Sequence, residues 1–221
     1  MNEARPANFA YLLTGLLVTL LAGPLINEIT DQSAGLIVQI TFSATLIVGV
    51  WSFIDSRTWF RVGLTLAALE FACTVTNAVW PAPFLHLFSL AIALAFCGLS
   101  LIFALRNVMR GSRMDVNRMT GAICVYMLLG ITLGLLNLFV YHLIPGSFSG
   151  LPPAVDSEQS LNVIYYTFVT MTTLGYGDIS PVGPLARALA YMAAIAGQFY
   201  IAILVGMMVG VYLSERRSTP P

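Results

Sequence analysis

Apolar residues in this chain come in long, nearly uninterrupted runs, without the strict alternation of a half-buried strand or the one-sided stripe of a soluble helix. A helix that crosses a bilayer needs about 20 consecutive, mostly apolar residues. Six runs meet that length: Phe9 to Ile26, Leu36 to Ile54, Phe60 to Trp80, Phe84 to Leu105, Gly121 to Leu143 and Leu185 to Leu213. Between the fifth and sixth lies 144–184, polar at its start and apolar in its middle, which predicts an element that enters the membrane and returns. The pattern therefore predicts an all-α membrane protein with six transmembrane helices and a re-entrant segment between helices 5 and 6.

Composition agrees with the pattern. The 221 residues are 58% hydrophobic and 9% charged, against about a quarter charged in a soluble domain. Arginine supplies all ten basic residues, lysine is absent, and the net charge is zero. No basic patch of the kind that binds nucleic acid is present. Cys73, Cys97 and Cys124 lie in apolar stretches without paired spacing, so neither a disulfide framework nor a metal site is expected.

Charge matters through its placement. Cytoplasmic loops retain positive charge, and an N-terminus inside puts Arg5, Arg57, Arg61, Arg106, Arg110, Arg113, Arg118, Arg216 and Arg217 on one side, leaving only Arg187 opposite. Glu28, Asp31, Asp156, Glu158 and Asp178 then gather outside. Both termini are expected in the cytoplasm of a cell inner or plasma membrane, with the first span retained rather than cleaved. Arg106, Arg110, Arg113 and Asn117 recur at helical spacing, predicting an interfacial linker helix over 106–120. The chain divides into a four-helix bundle (1–105), this linker, a second membrane unit (121–213) and a short tail (214–221).

The chemistry is concentrated between Ser160 and Asp178. A hydroxyl-rich apolar stretch, too short to cross the bilayer, leads through Met171-Thr172 into Thr173-Leu174-Gly175-Tyr176-Gly177-Asp178. A half-length helix ending at Thr172 would aim its partly negative carbonyl end at the membrane centre and favour a cation there. Irregular backbone at that depth is tolerated where it lines an aqueous or ion path, and Gly175 and Gly177 allow the unusual dihedrals that such a path demands. A chance match to Thr-x-Gly-Tyr-Gly-Asp in a chain this long is on the order of 10⁻⁴, so coincidence is set aside.

From Tyr165 to Asp178 the chain resembles the pore helix and selectivity filter of potassium channels, whose carbonyl rings replace the hydration shell of the ion. Two departures from the common pattern appear: Leu174 stands where valine is usual, and Tyr165 and Tyr166 where paired tryptophans are usual. The resemblance implies a homotetramer around one pore, with K+ bound by the carbonyls of Thr173, Leu174, Gly175 and Tyr176 and the Thr173 hydroxyl, and Gly177 completing the filter. It further implies that Thr172, Tyr165, Tyr166 and Asp178 support the filter and its outer mouth. No cofactor is implied beyond the permeant ion. Residues 193–205 resemble the inner helix of such channels, where Gly197 reads equally as a gating hinge or as a close-packing position.

Six spans with the filter before the last is the layout of voltage-gated potassium channels. Phe84 to Leu105 nevertheless carries no arginine or lysine, and a sensor needs several charges in the field, each worth about 2.3 kcal/mol per 100 mV. Intrinsic voltage gating is therefore not expected, and the short tails are expected to hold no ligand-binding domain, leaving membrane lipid, pH, the filter or a separate regulatory subunit. Glu70 lies within a span and reads as a neutral carboxyl bonded to Asn77 or Gln39, or else as a proton sensor. A weakly selective cation channel and a transporter component are the rival readings. An intramembrane hydrolase built on Ser147 or Ser149 beside His142 lacks the nucleophile-elbow spacing, and the run 146–150 reads instead as a solvated outer loop.

Overall fold

The computed structural model of the chain describes residues 9–29, 57–80, 82–110, 116–151 and 156–218. It is mostly helical: α1 (Phe9–Ile29), α2 (Arg57–Val79), α3 (Pro83–Arg110), α4 (Val116–Leu143), α5 (Asp156–Met171) and α6 (Pro184–Ser218), with two-residue strands β1 (Phe148–Ser149) and β2 (Ser180–Pro181) on either side of α5. Five of these helices, all but α5, are long and apolar enough to cross a membrane. The expected span from Leu36 to Ile54 lies outside the described residues.

α4 is the axis of the molecule. It packs against α1, α3, α5 and α6, and over half of its apolar window is buried, against about a tenth for α6. A helix touched on every side has to be apolar on every side, which is why the run from Gly121 to Leu143 shows no polar stripe. Its core partners are Phe9, Leu12 and Leu16 of α1, a row on α3 from Leu90 to Val108, and Val163 of α5. Polar contacts fix the register of these packings. Asn117 Oδ1 accepts the Phe9 backbone N–H at 3.1 Å, and the Arg118 guanidinium donates to the Val108 carbonyl in the closing turns of α3.

The residues expected to form a separate linker helix, 106–120, are divided. Arg106–Arg110 continue α3 and Val116–Thr120 open α4, with 111–115 outside the described residues. Nothing between Leu105 and Arg110 interrupts a helix, and the first glycine comes at Gly111. Glu70 on α2 is 3% exposed and accepts the Thr74 hydroxyl at 3.0 Å. Asn77, expected as its partner, instead accepts the Ala82 N–H at 3.2 Å in the turn between α2 and α3, and Gln39 lies outside the described residues.

Candidate functional site

α5 is 16 residues long, about 24 Å at 1.5 Å per residue, which is short of the roughly 30 Å of a bilayer core. It seats on α4 through small residues: a Cβ on Gly134 would lie 3.3 Å from Ile164, and one on Gly130 would run into the Phe168 ring. One turn further along α4, Asn137 Nδ2 donates to Thr167 Oγ1 at 3.0 Å, with both residues fully buried.

Where α5 ends, the chain does not simply leave. The N–H groups of Thr172, Thr173, Leu174 and Gly175 turn back onto the carbonyls of Phe168, Thr170 and Val169, with Val169 accepting from both Leu174 (3.0 Å) and Gly175 (3.3 Å). Four donors are thus consumed by the orphan acceptors of a helix C-terminus. Among the described residues, no donor reaches the carbonyls of Thr173, Leu174, Gly175 or Tyr176. Donors tied back and acceptors left over give this strand a row of partly negative oxygens.

Backbone geometry sharpens the point. Thr173 has φ +60°, Gly175 +60° and Gly177 +83°, while Leu174 and Tyr176 keep ordinary negative values. Alternating handedness brings successive peptide groups to one side of the chain. A Cβ on Gly175 or Gly177 would meet nothing within 4 Å, so glycine is required there by dihedral angle rather than by space. Thr173 holds the same conformation despite its β-branched side chain, at a cost of roughly 1–2 kcal/mol. It is held there by its N–H bond to the Thr170 carbonyl and its hydroxyl bond to the Thr172 carbonyl at 2.6 Å. Strain retained in this way clusters at functional positions.

The expected supports divide into two groups. Tyr165 donates its hydroxyl to Asp178 Oδ2 at 2.9 Å, and this hydrogen bond raises the Tyr165 phenol above its ordinary pKa. Tyr166 points the other way, buried against Phe148, Ile179 and Ala186, its ring 5.4 Å from that of Phe148. Thr172 caps α5 by donating to the Phe168 carbonyl at 2.8 Å. The side chain of Tyr176 is 66% exposed, as are all residues from Thr172 to Asp178 to a large extent.

The run 146–150 is not the solvated loop expected. Ser147 is 2% and Phe148 7% exposed, because β1 and β2 pair antiparallel, Phe148 opposite Pro181 and Ser149 opposite Ser180. The Ser147 carbonyl accepts the N–H groups of Val182 and Gly183. Gly150, at φ +83°, brings its Cα so close that a Cβ would lie 1.9 Å from the Asp178 carbonyl oxygen. This clip ties the segment after α4 to the chain leaving Asp178. The one local signal was the pair of glycines, Gly146 and Gly150, bracketing Phe148 in a polar stretch.

Gly197 lies in the unbroken helix α6, where a Cβ would stand 2.3 Å from the Met171 carbonyl oxygen. Small size at Gly197 lets α6 cross the end of α5 two residues before Thr173. A Tyr200 hydroxyl bond to the Ala122 carbonyl at 2.7 Å holds the same helix to α4.

Residues 137–214, which include α5, the strand and most of α6, match the family described as Ion channel. This segment is similar to ion-channel domains. Among curated proteins, the chain is 30% identical over 88 residues to two pore potassium channel c of Oryza sativa subsp. japonica, covering 40% of this chain and 17% of that protein. It is 28% identical over 94 residues to two-pore potassium channel 5 of Arabidopsis thaliana, covering 42% and 20%. With two-pore potassium channel 3 of the same plant the identity is 31% over 107 residues, covering 48% and 22%. The chain therefore spans about a fifth of the length of these relatives. No solved structure matches it. The match to this family begins at Asn137, the residue that joins α4 to α5, and contains the whole clip.

Proposed function

We propose that this chain is the subunit of a potassium-selective channel, with α5 as a re-entrant pore helix and Thr173–Gly177 as the selectivity filter. The observation that carries the reading is the row of four carbonyls, Thr173 to Tyr176, which no donor among the described residues reaches, on a strand whose φ alternates in sign. Potassium is named because the strand reads Thr-Leu-Gly-Tyr-Gly-Asp and the relatives are named as potassium channels.

One chain offers a single strand of oxygens, and enclosing an ion takes several copies around an axis. The exposed faces support that assembly: Leu174 and Tyr176 of the strand, and Phe199 and Ile203 of α6, are 56–66% exposed. Large apolar side chains on a span that is mostly uncovered call for helix neighbours or lipid. A homotetramer satisfies both the pore and these faces, in a plasma membrane with both termini cytoplasmic.

Conduction follows from geometry. Each carbonyl layer replaces part of the ion's water shell, and the partly negative carbonyl end of α5 favours a cation beneath the strand. Tyr165 and Asp178 hold the outer end of the strand, and Gly197 sets how closely α6 approaches its root. α3 carries its arginines only in its closing turns, at Arg106 and Arg110, so opening is not driven by charge moving through the field.

The test is the reversal potential of purified protein in planar bilayers under opposed potassium and sodium gradients. A value near the potassium equilibrium potential, lost in Gly175→Ala, is the expected result. A value near zero, with sodium carrying current, would overturn selectivity and leave a weakly selective cation channel.

A further inference from the structure

The chain has two histidines in 221 residues, and the fold brings them together. His86, in the first turn of α3, and His142, in the last turn of α4, stand with their Nε2 atoms 3.3 Å apart across 56 residues of sequence. We propose that this pair binds a divalent transition-metal ion of the Zn2+ class at the end of the molecule that holds Asp178.

The distance fits that chemistry. Zn–N bonds of about 2.0–2.1 Å in tetrahedral geometry place two imidazole nitrogens about 3.3–3.4 Å apart. The rings meet edge-on at 72° with centroids 4.7 Å apart, too close for two nitrogens aimed head-on, so the two ring axes meet at an angle. Without metal the same contact serves as one N–H···N hydrogen bond. With both rings carrying the proton on Nδ1, each Nε2 presents a lone pair, and no net proton is gained or lost. Imidazole selects zinc, copper and nickel over the oxygen-seeking magnesium and calcium.

Among the described residues no group of three or more His, Cys, Asp or Glu could complete a metal cage. Water fills the remaining positions, as an exchangeable site requires. Both rings are half-buried, leaving an edge accessible.

The position gives the ion leverage on the filter. His142 packs edge-on against Tyr141 at 5.1 Å, Tyr141 lies 6.5 Å from Phe148, and Phe148 lies 5.4 Å from Tyr166 on α5. An ion bridging His86 and His142 staples α3 to α4 at the start of this aromatic chain.

The test is calorimetric titration of the full, untagged chain in detergent micelles with Zn2+, and with Mg2+ as the hard-cation control. The site itself does not rest on conduction. One Zn2+ per chain is expected, no Mg2+ heat, and at least about tenfold weaker Zn2+ binding in His86→Ala and in His142→Ala. The milder His86→Gln and His142→Gln variants, checked for native elution, are measured alongside so that a folding defect is not read as a lost ligand. Zn2+ should also raise the melting midpoint of the native chain and leave the variants unmoved. Absence of Zn2+ binding to the native chain, or binding that survives in the double variant, would overturn the site.

Discussion

Replacing Gly197 by alanine puts a methyl group where the Met171 carbonyl already is. The new Cβ would lie 2.3 Å from that oxygen and 2.5 Å from Met171 Cγ, about 1 Å short of the 3.4 Å at which ordinary contact begins. The side-chain atom can swing away, but the backbone oxygen cannot, because Met171 is fully buried and the next N–H groups are tied to α5. Overpacking of this kind costs about 1–3 kcal/mol, while alanine in a helix interior recovers about 1 kcal/mol over glycine. Gly98→Ala is the matched control: it lies within α3 with nothing within 4 Å of a Cβ, so it carries the propensity gain without the clash. The difference between the two variants isolates the overpacking, and at about 2–4 °C per kcal/mol their melting midpoints in detergent should differ by about 2–12 °C. Because the displaced carbonyl lies two residues before Thr173, the potassium-to-sodium permeability ratio should fall in the same variant. Variants that melt within about 1 °C of each other would refute the packing argument. A lowered open probability at unchanged stability would then point to Gly197 as a hinge.

Tyr165→Phe removes the donor to Asp178 while keeping the ring, and should destabilise the conducting filter; Asp178→Asn should do the same, and single-channel recordings of the double variant should show no further loss, since the two residues share one bond. That bond raises the Tyr165 pKa, so its contribution is fully present below the ordinary phenol value of about 10 and is lost as pH rises through the raised one. An alkaline loss of selectivity present in the native channel and absent in Tyr165→Phe would be its signature. Asn137→Ala deletes the bond to Thr167 between α4 and α5 and should cost about 0.6 kcal/mol, the average for interhelical hydrogen bonds in membranes, and at most about 1.7 kcal/mol, read as a lowered melting midpoint. Gly150→Ala and Gly146→Ala share a left-handed backbone, worth roughly 1–2 kcal/mol against alanine, but only Gly150 abuts the Asp178 carbonyl. Gly150→Ala should therefore be the more damaging, measured as faster proteolysis of the outer segment, and equal behaviour would remove the clip from the account.

The proposed filter was legible in the sequence because the function assigned to it is one the backbone carries. Carbonyl coordination needs left-handed residues at fixed positions, glycine is the residue that adopts them without strain, and the spacing of Gly175 and Gly177 is therefore visible as letters. The membrane class and five of the helices were legible for a similar reason: burying apolar side chains in lipid requires whole runs of them, and a run is a local property. The Tyr165 brace was half legible. Two adjacent tyrosines were available, and only the rotation of α5 decided that Tyr165 faces Asp178 while Tyr166 faces Phe148.

What tertiary structure alone decided are the contacts between segments distant along the chain, where either partner looks ordinary by itself. Ser147 and Phe148 read as a polar loop until β2, some thirty residues on, pairs with them and buries them. Gly197 reads equally as hinge or spacer until the Met171 carbonyl is found where its Cβ would be. His86 and His142 lie in separate apolar runs, and no periodicity links them; only the antiparallel packing of α3 and α4 puts the start of one helix beside the end of the other. Burial in lipid specifies which residues are apolar, and it leaves unspecified which helix faces which, because lipid tails are as apolar as a neighbouring leucine. That choice falls to small residues and buried hydrogen bonds, here Gly130, Gly134 and Asn137 on α4, whose meaning appears only once α5 is laid against them.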